Sequence, residues 1–242
     1  MRIAIYQGDG AGLTGEGRLE RLKGAAGEAR ADLLVTPELF MSGYAVGDAI
    51  PRLAEPADGP MAAAVARIAR ASGTAIVYGF PERAGGVIYN TAQAIGADGR
   101  VLARHRKLAI PPGRERAHFT SGGGLTQFDL AGLRLGLVIC YDIEFPETVR
   151  AHARAGAHAV IAPTALGAEW DVVAERLVPA RAFENGVFVA YANHAGREGD
   201  MHYLGGSVIA GPDGRDRARA GAGGCVIAAV MDRESVARAQ AR

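Results

Sequence analysis

Short apolar runs alternate along this chain with stretches in which apolar residues recur every three or four positions. The runs predict strands at Arg2 to Gln7, Asp32 to Thr36, Thr74 to Gly79, Ile88 to Ile95, Leu133 to Ile139, Ala159 to Ala162, Val187 to Tyr191 and Ser207 to Ala210. A further plain strand covers Gly224 to Val230 and places Cys225 in the core. Helical spacing runs from about Gly17 to Arg30, Met61 to Ser72, Pro146 to Ala155 and Glu169 to Asn185. Ala97-Asp98-Gly99-Arg100 and Pro212-Asp213-Gly214-Arg215 mark turns. Strands and helices joined by short links predict sheet covered by helix.

The pattern also repeats. Ala31-Asp32-Leu33-Leu34-Val35-Thr36-Pro37 reads like Ala157-His158-Ala159-Val160-Ile161-Ala162-Pro163. Gly73-Thr74-Ala75-Ile76-Val77-Tyr78 reads like Gly186-Val187-Phe188-Val189-Ala190-Tyr191. The two turns just named fall in the same order, and the strand ending at Gln7 lies over the strand ending at Cys140. Two similar halves predict two sheets packed face to face with helices outside. Ligands in open α/β sheets sit at the carboxyl ends of the strands. Glu38, Cys140 and the Pro163-Thr164 pair each leave such an end, so all three are expected at one crevice.

The 242 residues suffice for one large α/β domain, expected over residues 1–242. With 49% hydrophobic residues the chain is not disordered. Its net charge of +1 is scattered, with no basic stripe for nucleic acid and no basic amphipathic helix for a membrane surface. The apolar start is too short for a signal peptide or a span, which predicts a cytoplasmic enzyme. Two cysteines, Cys140 and Cys225, make no disulfide framework. Of 27 basic residues only Lys23 and Lys107 are lysine, so Lys107 raises the question of what needs a compact ammonium rather than a planar fork.

The segment Gly136 to Glu147 carries the sharpest chemical signal. An apolar strand delivers Cys140 to its own carboxyl end, followed by acids and a helix-starting Pro-Glu. A thiol with an ordinary pKa of about 8.5 is scarcely ionised at neutral pH and needs a base or a positive neighbour. Among six histidines, His194 is the best candidate for a Cys–His pair, but each of the six reads rather as a polar surface or loop residue. An acidic base fits better. Glu38 leaves an apolar setting in Thr36-Pro37-Glu38-Leu39-Phe40, where burial would raise its pKa toward the general-base range. Lys107 stands where the chain leaves a strand and could hold a thiolate or an oxyanion.

Pro-Glu-Leu-Phe around Glu38, Arg-Lys-Leu around Lys107 and Ile-Cys-Tyr-Asp-Ile-Glu-Phe-Pro-Glu around Cys140 together resemble the nitrilase superfamily of carbon–nitrogen hydrolases. Ser42-Gly43-Tyr44, Tyr89-Asn90-Thr91, Arg181-Ala182-Phe183-Glu184-Asn185 and Tyr191-Ala192-Asn193-His194 extend the likeness over nearly the whole chain. It is greatest to short-chain aliphatic amidases such as 5-aminopentanamidase. The resemblance implies an α/β fold of four layers, an αββα sandwich of two similar halves. It also implies a Glu38–Lys107–Cys140 triad, with Glu115 holding Lys107 and helping the base. The implied reaction is hydrolysis of a small carboxamide to carboxylate and ammonia through a cysteine thioester. A nitrilase or N-carbamoyl amidohydrolase would use the same triad. No cofactor or metal is implied, and the expected partners are a small-molecule amide and further copies of the chain, as a homodimer or higher homo-oligomer. The Tyr141 N–H would face the oxyanion, while Tyr44, Tyr141 and Trp170 would line the pocket. Glu144 would either meet a cationic substrate amine or serve loop hydrogen bonds, the structural role being preferred.

Two departures stand out: Leu108-Ala109-Ile110-Pro111-Pro112 replaces the family's usual residues after the lysine, and the chain closes soon after Gln240. Gly10-Ala11-Gly12-Leu13-Thr14-Gly15 matches a dinucleotide fingerprint, but Asp9 would repel pyrophosphate and Asp32 opens its strand instead of closing it. A non-catalytic scaffold of the same fold would carry an inert thiol. Asp142 and Glu144 alternate without a histidine cluster, and no G-x-S-x-G elbow is present.

Overall fold

A computed structural model describes residues 1–10 and 12–241. The first half runs β1 (Arg2–Gln7), α1 (Gly15–Ala29), β2 (Leu33–Val35), α2 (Ile50–Leu53), α3 (Pro60–Ser72), β3 (Ala75–Ala84), β4 (Val87–Ile95) and β5 (Val101–Arg106). The second runs β6 (Thr126–Leu130), β7 (Leu133–Leu137), α4 (Pro146–Arg154), β8 (Ala159–Pro163), α5 (Val178–Asn185) and β9 (Phe188–Ala192). The chain then forms the hairpin β10 (Arg197–Glu198) and β11 (Met201–His202), followed by β12 (Val208–Ala210), β13 (Asp216–Arg219), β14 (Cys225–Val230) and α6 (Arg233–Gln240).

Two six-stranded sheets result, ordered β14-β1-β2-β3-β4-β5 and β13-β12-β9-β8-β7-β6. In each, three adjacent parallel strands (β1-β2-β3 and β7-β8-β9) are flanked by antiparallel ones. The repeat therefore has a structural counterpart, strand for strand. Residue alternation decides what each face meets. Ile3, Ile5, Leu33 and Val35 face Leu135, Leu137, Ile161 and Ala190 across the inter-sheet core. Ala4, Leu34 and Ile76 point outward onto Leu22, Ala26 and Val65 of α1 and α3. Val160, Ala162 and Val189 pack outward onto Val149, Val178 and Ala182 of α4 and α5. The architecture is an αββα sandwich, and strands buried on both faces explain the unbroken apolar runs.

The departures from the sequence reading have local causes. The strand expected to reach Ile139 ends at Leu137, because the Ile139 N–H leaves the ladder for Asp142 Oδ2 at 2.9 Å. The helix expected from Glu169 to Asn185 is present as one continuous helical stretch, opening with a tight turn at Ala168–Trp170 and widening at Val173–Leu177 before α5. Pro179 lacks the N–H that would continue an ordinary helix, and the Val178 N–H reaches back to Val173 instead. The strand expected just before Lys107 is β5, whereas β6 and β13 mix charged and polar residues with few apolar ones, so no apolar run announces them. Cys225 is half-buried on the sheet's last strand, not in the core. His105, His152 and His194 are buried, contrary to the surface reading. Of the glycine fingerprint, Ala11 lies outside the described residues. Asp32 precedes β2 and accepts the Arg2 N–H at 2.7 Å. Among the described residues, no helix is long and apolar enough to cross a membrane.

At Gly79, β3 passes directly behind the Glu38–Leu39 peptide, where a Cβ would land on the Leu39 N–H. That approach seats the 38–41 segment, whose Met41 N–H donates to the Gly79 carbonyl at 3.0 Å. Gly79→Ala is expected to destabilise the fold by about 1–3 kcal/mol, the usual cost of forcing extra atoms into a packed site. Urea unfolding with an unchanged midpoint would contradict this packing argument.

Candidate active site

Three chain segments, carrying Glu38, Lys107 and Cys140, enter the crevice from strand ends, and each is held there by main-chain contacts. The Glu38 N–H donates to the Thr164 carbonyl at 3.2 Å, and His194 Nε2 donates to the Glu38 carbonyl at 2.7 Å. One half of the fold thus grips the peptide of Glu38 supplied by the other. The Lys107 N–H donates to the Asn90 carbonyl at 2.9 Å, which extends the β4–β5 ladder by one residue. Cys140 sits at φ +46°, a left-handed bend that turns β7 abruptly into the short Cys140–Glu144 helical turn. Arg181 secures that turn from α5, donating to the carbonyls of Ile143 at 3.1 Å and Glu144 at 2.7 Å.

Asp142 joins two of these segments. One oxygen accepts the Leu108 and Ala109 N–H groups at 3.1 and 2.8 Å; the other accepts the Ile139 N–H and lies 3.3 Å from His105 Nε2. From sequence alone Asp142 stands out only as a would-be metal ligand alternating with Glu144. Its position two residues after Cys140, between Tyr141 and Ile143, is the available signal.

The side chains converge on Lys107, which is fully buried. Its Nζ lies 2.7 Å from Glu38 Oε1 and 2.6 Å from Glu115 Oε1. Asn90 Nδ2 bridges the same carboxylates at 2.6 and 3.2 Å. The Tyr44 hydroxyl donates to Glu115 Oε1 at 2.8 Å. Burial pushes the Glu38 carboxyl up to about 7, with the Glu115 charge adding and Lys107 opposing. Burial alone would weaken the Lys107 ammonium, but the surrounding carboxylates prevail and raise its pKa above the ordinary lysine value. Burial and the Glu38 charge hold the Cys140 thiol well above its ordinary value, against the pull of Lys107. The resting arrangement is therefore a neutral thiol beside a carboxylate able to accept a proton near neutral pH. Glu38 Oε2 is buried with no hydrogen-bond partner among the described residues.

A cavity of about 660 Å³ opens onto this cluster. Tyr44, Glu115, Cys140, Tyr141, Glu144 and Trp170, all named from the sequence, contribute to its wall. Trp170 stands at the mouth, 57% exposed. Tyr44 has its hydroxyl committed to Glu115, and burial raises its pKa, so it remains a phenol. Glu144 faces the cavity with its carboxyl raised by burial, while its main-chain carbonyl makes the loop contact with Arg181. The side chain preferred for a loop role is thus part of the pocket wall. His194 is turned to the Glu38 carbonyl, and burial lowers it to about 4, so it is neutral at pH 7. Its ring is committed to placing Glu38, which argues against the Cys–His pair.

The sequence model of the carbon-nitrogen hydrolase family matches residues 2–241. A Pseudomonas protegens protein described as a hydrolase in the pqqF 5' region is 45% identical over 100% of this chain and 86% of its own length. An (R)-stereoselective amidase from a Pseudomonas species is 37% identical over 76% of this chain and 67% of its own. The crystal structure of an amidase from a Nesterenkonia species superposes with a TM-score of 0.90 at 34% identity, covering 98% of this chain and 95% of that one. Variants of the Nesterenkonia enzyme have been captured with butyramide bound (TM-score 0.87) and with acrylamide added to the active-site cysteine (TM-score 0.86). These two superpositions cover all of this chain and 94% and 97% of theirs, at 34% and 33% identity.

The electrostatics predict how Cys140 responds to pH. If Glu38 takes the thiol proton, alkylation by iodoacetamide requires the ionised carboxylate. Its rate at Cys140, read by peptide mass spectrometry, should fall about tenfold per pH unit well below about 7. It should level off above 7 until the thiol itself ionises. Glu38→Gln should abolish the step near 7, and a rate following only a thiol's own titration would exclude Glu38 as the proton acceptor.

Proposed function

The chain belongs to the carbon–nitrogen hydrolase family, and on that premise we propose that it is an amidase, converting a small carboxamide to a carboxylate and ammonia through a thioester on Cys140. The observation that carries this reading is the buried Lys107 ammonium held between Glu38 and Glu115, within electrostatic reach of Cys140 in the cavity wall. Glu38 accepts the Cys140 proton as sulfur attacks the amide carbon. Lys107 and the main-chain N–H of Tyr141 hold the developing oxyanion; the first amides of a helical turn have no acceptor within it. The tetrahedral intermediate collapses, Glu38 returns the proton to the leaving nitrogen, and ammonia departs. Water then attacks the thioester, giving a proton to Glu38, and the proton passes to sulfur as the acid leaves. Glu115 keeps Lys107 in place, and Tyr44 keeps Glu115 in place.

The butyramide and acrylamide captured in the Nesterenkonia amidase support a short amide as the substrate here. Tyr141, Glu144 and Trp170 form the part of the wall that meets its substituent. The reading includes a cytoplasmic location and assembly as a homodimer, the latter supported by exposed Val172 ahead of α5.

Ammonia release from butyramide, butyronitrile and an N-carbamoyl amino acid separates the amidase from its two alternatives. The amide should be turned over, and ammonia from the nitrile or carbamoyl compound alone would replace this reading. Cys140→Ala should leave the Tm within a few degrees of wild type and release no ammonia. Lys107→Arg should lose at least about two orders of magnitude in kcat, the scale of removing one oxyanion donor, because a planar fork cannot occupy an ammonium's place. Turnover close to wild type would remove Lys107 from the mechanism.

A further inference from the structure

A second buried ion pair lies behind the pocket, and it reaches both glutamates. Arg18 of α1 and Glu198 of β10 are 2% and 7% exposed and meet at 2.7 Å across 180 residues of sequence. Arg18 also donates to the carbonyls of Phe40 at 2.9 Å and Gly10 at 3.1 Å. Glu198 Oε2 accepts three donors: the N–H groups of Tyr44 and Ala45, both at 2.8 Å, and the Tyr203 hydroxyl at 2.9 Å. Gly43, at φ +88°, makes room for this, since a Cβ there would collide with the Glu198 carboxylate.

Two routes lead from Glu198 to the reacting groups. The first passes through Tyr44, whose hydroxyl bonds the Glu115 oxygen that also takes Lys107. The second passes through Tyr203, whose ring stacks on His194 at 4.8 Å, and His194 holds the Glu38 carbonyl. The same hairpin makes a third contact: Asp200 binds Arg114, the neighbour of Glu115, at 3.0 Å. A buried ion pair is weak evidence for stability, because desolvation offsets the attraction. Here the anion is spent on loop amides and a tyrosine that border the site. We propose that Glu198 is a positioning residue for the reaction, and that the Arg197–His202 hairpin is a clamp fixing Glu115 and Glu38 about Lys107.

The inference rests on the amidase reading, so its test needs a readout independent of amide turnover. Glu198→Gln keeps the shape and two acceptor lone pairs but loses the charge that holds Arg18. Butyramide kcat per alkylatable Cys140 is expected to fall about 10- to 100-fold, as for an error of about 1 Å in a reacting group, with KM within about threefold of wild type. Iodoacetamide should modify Cys140 at least about fivefold more slowly in the same variant. Val236→Ala, a core truncation on α6, serves as the stability control and should lower Tm while leaving kcat per reactive thiol unchanged. If Glu198→Gln fails to fold, Tyr203→Phe removes one donor, keeps the ring stack, and should lower kcat at least about threefold. A kcat per thiol and an alkylation rate both within twofold of wild type, in whichever variant folds, overturn the proposal. A wild-type protein that alkylates at Cys140 but releases no ammonia refutes the amidase reading instead, and the alkylation comparison then decides the role of Glu198 alone.

Discussion

One ammonium buried between two carboxylates governs this site. Lys107 is fully enclosed, and its two partners lie within 2.7 Å. Two carboxylates sharing a dry pocket would repel strongly, and the lysine is what allows both to be there. The balance is incomplete, with one positive charge against two negative ones. Burial therefore keeps Glu38 near neutrality in its affinity for a proton and keeps the thiol protonated. The consequence is a nucleophile generated only when its base takes the proton, and a base whose titration falls in the physiological range.

Neither half of the fold holds this cluster alone. Glu38, Asn90, Lys107 and Glu115 come from the first half and the loop that follows it, whereas Cys140, Thr164 and His194 come from the second. The pseudo-symmetric sheets bring the carboxyl ends of β2, β7 and β8 to one edge. Main-chain bonds then stitch across the seam: Glu38 to Thr164, and His194 to Glu38. Asp142 ties the Cys140 bend to the loop after Lys107, and Arg181 anchors that bend from behind. Site geometry and sheet packing are thus one constraint: a shift of one sheet over the other would move sulfur relative to its base.

The Glu198 clamp extends this logic outward. The segment carrying Gly43, Tyr44 and Ala45 has no strand partner to fix it, and its amides find a carboxylate on a distant hairpin instead. Buried polar groups that are fully satisfied specify one arrangement of the loops they join.

Much of the architecture was legible because both faces of the central strands are covered, so apolar runs, their spacing and their repetition survive in the residue order. The chemistry-bearing residues were legible where a charged or reactive side chain interrupts such a run, as at Glu38, Lys107 and Cys140. The edge strands β6 and β13 were not, since their exposed faces permit charges that erase the pattern. Nor were the widened turn before Pro179 or the buried histidines, which depend on what packs opposite them. Composition and spacing set which segments are strands and which side chains stand at their ends. The resemblance already grouped Lys107 with Glu38 and Glu115; only the folded chain decided how completely that lysine is enclosed, that Glu144 would face the pocket, and that Glu198 would reach Tyr44, because each depends on distances between residues that sequence proximity does not encode.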